Sequence, residues 1–167
     1  MSVIINWIIT FPPDLATALM AMIPILELRA AIPFGIEVFG LSPVEAVIMS
    51  YLGNAVPAFI VLFGLEAIAK WSDRHIKWCN RCITGFMKRT ERTFHGKYKR
   101  YGALALFIFT AIPLPVTGVW TASVAAVVFR IKWKYSLPAI LLGMVVAGII
   151  VVLVTLFAEG VVRNIIL

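Results

Sequence analysis

Four apolar blocks run along the chain, at residues 15–41, 43–69, 103–129 and 137–162, and they are of two kinds. The second and fourth are long and almost uninterrupted. Each predicts one spanning helix of about 26 residues, roughly 39 Å at 1.5 Å per residue, enough to cross a ~30 Å hydrocarbon core with tilt. Ser42-Pro43-Val44-Glu45 gives the second block a clean start, with Ser at the N-cap, Pro at the first helical position and Glu three residues after the cap. Ser136-Leu137-Pro138 marks the start of the fourth in the same way. The first block is broken by Pro24, Glu27, Arg29, Pro33 and Gly35, and the third by the segment PLPVTG at 113–118. Both have the form of an apolar arm, a proline-containing polar tip and a second apolar arm.

Charge explains the two short-armed blocks. Ten of the 15 Lys and Arg residues lie between Lys70 and Arg100, opposed only by Asp73 and Glu91, and Arg130, Lys132 and Lys134 form a second basic cluster. If both are cytoplasmic, as the positive-inside tendency suggests, the segment between them crosses zero or two times. Block 103–129 is too short for two crossings, so it is expected to dip in and return as a re-entrant helical hairpin. Block 15–41 has the same form. The halves also align: Ile23-Pro24 recurs as Ile112-Pro113 at a separation of 89, and Leu52-Gly53 as Leu142-Gly143 at a separation of 90. One crossing separates the hairpins, so they enter from opposite faces, which makes an inverted repeat of the kind small transporters use.

The fold class expected is therefore an all-α integral membrane protein forming one domain over 1–167. Residues 12–70 form the first hairpin plus spanning helix, 70–101 a basic connector, and 102–163 the second hairpin plus spanning helix. Composition agrees: 62% hydrophobic, 14% charged and a mean hydropathy of +0.99 exceed what a soluble domain of 167 residues can hide. The net charge of +7 belongs to the connector rather than to a nucleic-acid surface, and no base-reading module is visible. The first residues, SVIINWIITF before Pro12-Pro13, lack a basic leader and a cleavage site and read as a short interfacial helix with Trp7 at the headgroups. The connector from Lys70 to about Met87 places Trp71, His75, Trp78, Cys79, Cys82 and Phe86 on one face and Lys70, Arg74, Lys77 and Arg81 on the other, an amphipathic helix lying on the inner leaflet. The location expected is the cell membrane, with several crossings and the connector cytoplasmic.

Candidate chemistry concentrates at the tips. Glu27 and Arg29 are charges near the bilayer centre, where insertion costs roughly 2.5–3.5 kcal/mol each, so a functional use competes with a structural ion pair. Glu27 is expected to end one half-helix and Arg29 to begin the next, both of the wrong sign for the helix dipole. In the second tip Thr117 caps the returning half-helix, and the backbone N–H groups near Gly118, Val119 and Trp120 point inward, a site for an anion or polarised group. Pro24, Pro33, Pro113 and Pro115 set the tips and hinges. Asn54, three residues before Pro57, either lines the cavity or bonds the carbonyl that Pro57 frees. Cys79 and Cys82 have a metal-type spacing with His75 one turn before. A fourth ligand is wanting except for His95, so no metal, no cofactor and no catalytic residue is assigned. No enzyme signature appears.

The strings IPILELRAAIPFGI, YLGNAVPAFIVL and AIPLPVTGVWTASVAA together resemble the small multidrug export protein family, with its proline-rich ELR tip and its P-x-P-x-T-G-x-W segment. The resemblance runs from about Ala21 to Ala158. Its pattern falls on Pro24, Glu27, Leu28, Arg29, Pro33, Gly53, Asn54, Pro113, Pro115, Thr117, Gly118 and Trp120; Ala30 stands where many relatives have Gly. The two-hairpin plan is also similar to DedA-type membrane proteins, which are linked to lipid-carrier translocation, by architecture alone.

The function expected is a transporter with alternating access, moving an amphipathic or lipid-phosphate substrate, with Glu27 exchanging a proton or cation. Arg29 and the Thr117–Trp120 helix start would favour an anion, while the family name favours drugs. Partners expected are membrane lipid, the substrate and a second copy of the chain in a homodimer. The alternative from another class is a non-transporting protein that binds anionic lipid or a partner through the basic connector.

Overall fold

A computed structural model of the chain describes residues 10–75, 98–113 and 118–166. All elements among them are helices: α1 (Pro13–Met22), α2 (Glu27–Glu37), α3 (Pro43–His75), α4 (Tyr98–Ala111), α5 (Val119–Val128) and α6 (Trp133–Ile166). Two short helices precede each long one. The short ones are 10, 11, 14 and 10 residues long, about 15–21 Å, roughly half to two thirds of the thickness of a ~30 Å hydrocarbon core. The long ones contain apolar stretches Pro43–Gly64 and Trp133–Val161, long enough to cross one.

The boundaries follow local chemistry. Pro13 opens α1 with Asp14 in its first turn, favourable at the positive end of the helix. Ile23 ends it in extended conformation, φ −74° and ψ 130°, because Pro24 disfavours a helical predecessor. Gly40 stops α2 at φ 70°. α3 starts with a full capping box: the Ser42 N–H and hydroxyl donate to Glu45 Oε2 at 2.9 and 2.7 Å, and the Glu45 N–H donates to Ser42 Oγ at 3.3 Å.

One expectation is corrected here. α6 begins at Trp133, so Ser136 and Pro138 lie within its first two turns; the Ser136 hydroxyl bonds back to the Lys132 carbonyl instead of capping. Pro33 stands inside α2 rather than in the turn before it. α3 continues through Lys70 to His75, since no Gly or Pro interrupts 65–75, so the chain stays helical across the expected start of the connector. The interfacial segment 1–9 and the rest of the proposed amphipathic connector, with Cys79, Cys82 and His95, lie outside the described residues.

Packing pairs the elements. α1 lies on α3 as α4 lies on α6; α3 also meets α5, α6 meets α2, and the long helices touch each other. Two glycines permit the closest approaches. A Cβ on Gly53 would overlap the Ala18 carbonyl of α1, and one on Gly143 would sit 2.8 Å from the Phe107 carbonyl of α4. Tyr51 donates from α3 to the Leu141 carbonyl of α6 at 3.4 Å.

The long helices present large apolar side chains outward. Leu142, Ile149, Leu153, Val154 and Phe157 of α6 and Val44, Ile48, Leu52 and Ile60 of α3 face outward. Thr17, Glu27, Ser50, Asn54, Thr110, Ser123 and Ser136 are buried. Apolar outer faces over a core that is itself mostly apolar, with these few polar side chains set into it, suit a hydrocarbon solvent.

Candidate functional site

Glu27 is the first residue of α2. Its N–H closes the turn by donating to the Ile23 carbonyl at 2.9 Å, so the tip of the first pair is 23–26 and ends one residue before the carboxylate. The expectation that Glu27 closes a helix is thereby corrected: it opens one, and its sign suits the dipole of α2. Its φ of 49° is left-handed, a conformation that costs a non-glycine residue about 1–2 kcal/mol. Its side chain is turned inward and only 5% of the residue is exposed.

The carboxylate reaches the other half of the chain. It accepts the backbone N–H groups of Trp120 and Val119, the first two residues of α5. These are donors that α5 itself leaves unpaired, and a negative charge there is favoured by the helix dipole. Gly118 precedes them at φ 147°, where only glycine is comfortable, and a Cβ on it would overlap both carboxylate oxygens. The N-cap of α5 is Gly118, with no side-chain cap of its own, so Glu27 supplies one from a distant helix. Thr117, expected to be the cap, lies outside the described residues, as does Pro115. Arg29 follows on the same turn of α2, with its Nη2 3.8 Å from Glu27 Oε2. Its positive charge opposes the dipole of α2 and is offset by the adjacent carboxylate.

Polar groups extend from this point. Trp120 and Ser123 are three residues apart on α5, and Ser50 and Asn54 one turn apart on α3, which packs against α5. Ser50 Oγ, both amide atoms of Asn54, Trp120 Nε1, Ser123 Oγ and Glu27 Oε2 are buried and make no hydrogen bond among the described residues. Asn54 therefore does not bond the carbonyl freed by Pro57; of the two readings open for it, that one falls. The threonines differ: Thr17 and Thr110 satisfy their hydroxyls on the Pro13 and Leu106 carbonyls, each at 2.8 Å. A buried polar atom without a partner costs about 1–3 kcal/mol, so atoms in that state on the packed helices α2, α3 and α5 are candidates to meet a polar group.

Of the residues expected from the sequence, Glu27, Arg29, Gly118 and Trp120 come together, and Asn54 lies buried on the adjoining helix. Pro24 lies in the first tip, exposed, and Pro113 follows α4. Ser50 and Ser123 were not expected. Their signal was a small polar residue inside an apolar helix, one turn from Asn54 and from Trp120 respectively. Among the described residues no group of His, Cys, Asp and Glu is arranged to hold a metal ion. The arrangement can exchange: a carboxylate held by backbone donors and a guanidinium is able to release them for a proton or a cation.

No curated protein and no solved structure matches the chain. Residues 27–150, most of the chain, match the family model described as "Putative small multi-drug export protein". That stretch begins at Glu27 and contains every polar group of the site, and the chain belongs to this small multi-drug export family.

Proposed function

We propose that the chain is a small exporter of amphipathic cations in the cell membrane, in which Glu27 serves a proton and the substrate in turn. The observation that carries this reading is the Glu27 carboxylate on the N–H groups of Trp120 and Val119. The helix start that the sequence offered to a substrate anion is filled by the chain's own carboxylate. What remains for a substrate is the carboxylate itself, the natural counter-ion of a cation, with the unbonded polar atoms of Ser50, Asn54, Trp120 and Ser123 on the packed helices α3 and α5. The family's description, small multi-drug export, supports an exporter.

In the resting state Arg29 and the α5 amides compensate the ionised carboxylate. Protonation of Glu27 removes the charge these donors hold and loosens the joint between α2 and α5. A cationic substrate competes for the same oxygens, so proton and substrate exclude each other, the condition for antiport. No reaction is involved; the chain works by binding and rearrangement.

The two short helix pairs act as re-entrant hairpins entering from opposite faces, with the basic connector cytoplasmic, and the halves are inverted repeats. The internal correspondences support this. Gly53 approaches Ala18 as Gly143 approaches Phe107, with offsets of 90 and 89 residues. These are the offsets that relate Leu52-Gly53 to Leu142-Gly143 and Ile23-Pro24 to Ile112-Pro113. A fixed site between two mirrored halves is the plan of alternating access.

The test uses proteoliposomes, a permanently charged cationic dye and an imposed pH gradient, acid inside. Dye accumulates with the wild-type chain and does not with Glu27→Gln. Accumulation at the wild-type rate by the variant would remove Glu27 from coupling.

A further inference from the structure

The two helix pairs are closed to different degrees. In the first, Gly35 of α2 leaves no spare room: a Cβ there would lie 3.1 Å from both Thr17 of α1 and Ala46 of α3. In the second, α4 and α5 diverge around an apolar cleft of about 460 Å³. Its walls are Tyr101, Ala105, Leu106 and Phe109 of α4, Ala125 of α5, and Phe129 and Ile131 just beyond it. From Tyr101 to Phe109 it follows two turns of α4, roughly 12 Å along the helix axis. The cleft takes no part in the polar site, since none of Glu27, Arg29, Asn54, Trp120 or Ser123 lines it.

What fits it is indicated by one end of its lining. There Gly102, in the second turn of α4, lies against Ile131, just past the end of α5, and Arg130, Lys132 and Lys134 alternate with or follow the cleft-lining Phe129 and Ile131. All three are exposed, and so are Trp133 and Tyr135 between and beside them. Aromatic and basic side chains alternating at a helix start are the composition of a membrane–water interface. An apolar slot running inward from such a rim matches one molecule in both parts: an acyl chain for the slot and a negatively charged headgroup for the rim. A soluble anion would have no use for the slot, and a neutral hydrocarbon none for the rim.

We propose that the cleft between α4 and α5 is a binding site for one anionic phospholipid, its acyl chain between Leu106, Phe109, Ala125 and Phe129 and its phosphate at Arg130, Lys132 and Lys134. This site is separate from the Glu27 site and does not depend on the exporter reading. The lipid fills the second helix pair as Thr17, Gly35 and Ala46 fill the first.

The test is native mass spectrometry of the full chain in mild detergent, titrated with phosphatidylglycerol or with phosphatidylcholine of the same acyl chains. Wild type binds one phosphatidylglycerol at least tenfold more tightly than phosphatidylcholine. Lys132→Gln with Lys134→Gln brings the two lipids within threefold of each other. Ala125→Phe, which fills the slot, abolishes the single high-affinity site. Ala105→Leu narrows it from the α4 side and weakens binding at least fivefold, so a folding defect in one variant does not decide the matter; helix content by circular dichroism is measured on each. Equal affinity of wild type for both lipids overturns the proposal. So does retention of the tight site by a folded Ala125→Phe or Ala105→Leu chain. Disulfide formation between Ala125→Cys and native Cys79 or Cys82, with no lipid bound, would assign the cleft to the connector and equally overturn it.

Discussion

The Glu27 carboxylate occupies the space that a side chain on Gly118 would need. The start of α2 in one helix pair and the start of α5 in the other are therefore fitted to each other. The left-handed φ of Glu27 and the φ of 147° at Gly118 are the backbone distortions that make the fit. Such distortions persist where surrounding contacts over-determine them, and they concentrate at functional sites.

Gly118→Ala suffers twice, from strain at its φ and from overlap with Glu27. It is expected to destabilise the chain by about 1–3 kcal/mol and to abolish dye transport. Thermal unfolding in detergent, followed by circular dichroism, measures the first, and vesicle accumulation the second. An unfolding temperature equal to wild type would show that the two residues are not fitted.

Exchanging the charges, Glu27→Arg with Arg29→Glu, keeps a pair on the same turn but presents a guanidinium to the N–H groups of α5. Guanidinium has no acceptor for them, so the exchange is expected to stop transport and lower stability. A tolerated exchange, with both quantities at wild-type level, would reduce Glu27 and Arg29 to a structural pair and favour the non-transporting alternative.

Asn54 separates stability from function. It is fully buried, and neither amide atom is bonded among the described residues. Asn54→Leu removes an unsatisfied group at similar size and is expected to leave the unfolding temperature unchanged or raised while transport is lost. Loss of stability by more than about 1 kcal/mol would show that the amide is structurally bonded.

The glycines of the long helices form a graded series. Gly53→Ala drives a methyl into backbone, Gly143→Ala meets the Thr110 Cβ at 2.7 Å, and Gly148→Ala finds its nearest neighbour, Leu28 Cδ1, at 3.6 Å. The expected order of destabilisation is Gly53→Ala, then Gly143→Ala, with Gly148→Ala within about 0.5 kcal/mol of wild type. Unfolding temperatures of the three variants check it; a flat series would mean that α1 and α4 do not dock on these glycines.

The helices were readable because their signals are local. Two long apolar runs, and the Ser42–Glu45 capping box with Pro43 at the first helical position, depend on residues close in sequence, and all reappear in the structure. Ser136-Pro138 misled because a Ser-x-Pro pattern is also tolerated inside the first turns of a helix already begun at Trp133. Glu27, Arg29, Gly118 and Trp120 were legible as unusual residues for their surroundings. That Glu27 itself caps α5 was not, since nothing in a linear sequence pairs residue 27 with residue 119. Ser50 and Ser123 were hidden for the opposite reason: serine is common enough in apolar helices to draw no notice until its hydroxyl is found buried and unbonded.

The most direct measurement is the affinity of the purified chain for a permanently charged cationic dye as a function of pH. Protons and dye compete for Glu27, so wild-type binding is expected to weaken as pH falls, approaching tenfold per pH unit at the acid end. Glu27→Gln is expected to bind weakly and without pH dependence. Wild-type binding that does not change with pH, or a Glu27→Gln chain that keeps the wild-type profile, would contradict a carboxylate shared between proton and substrate.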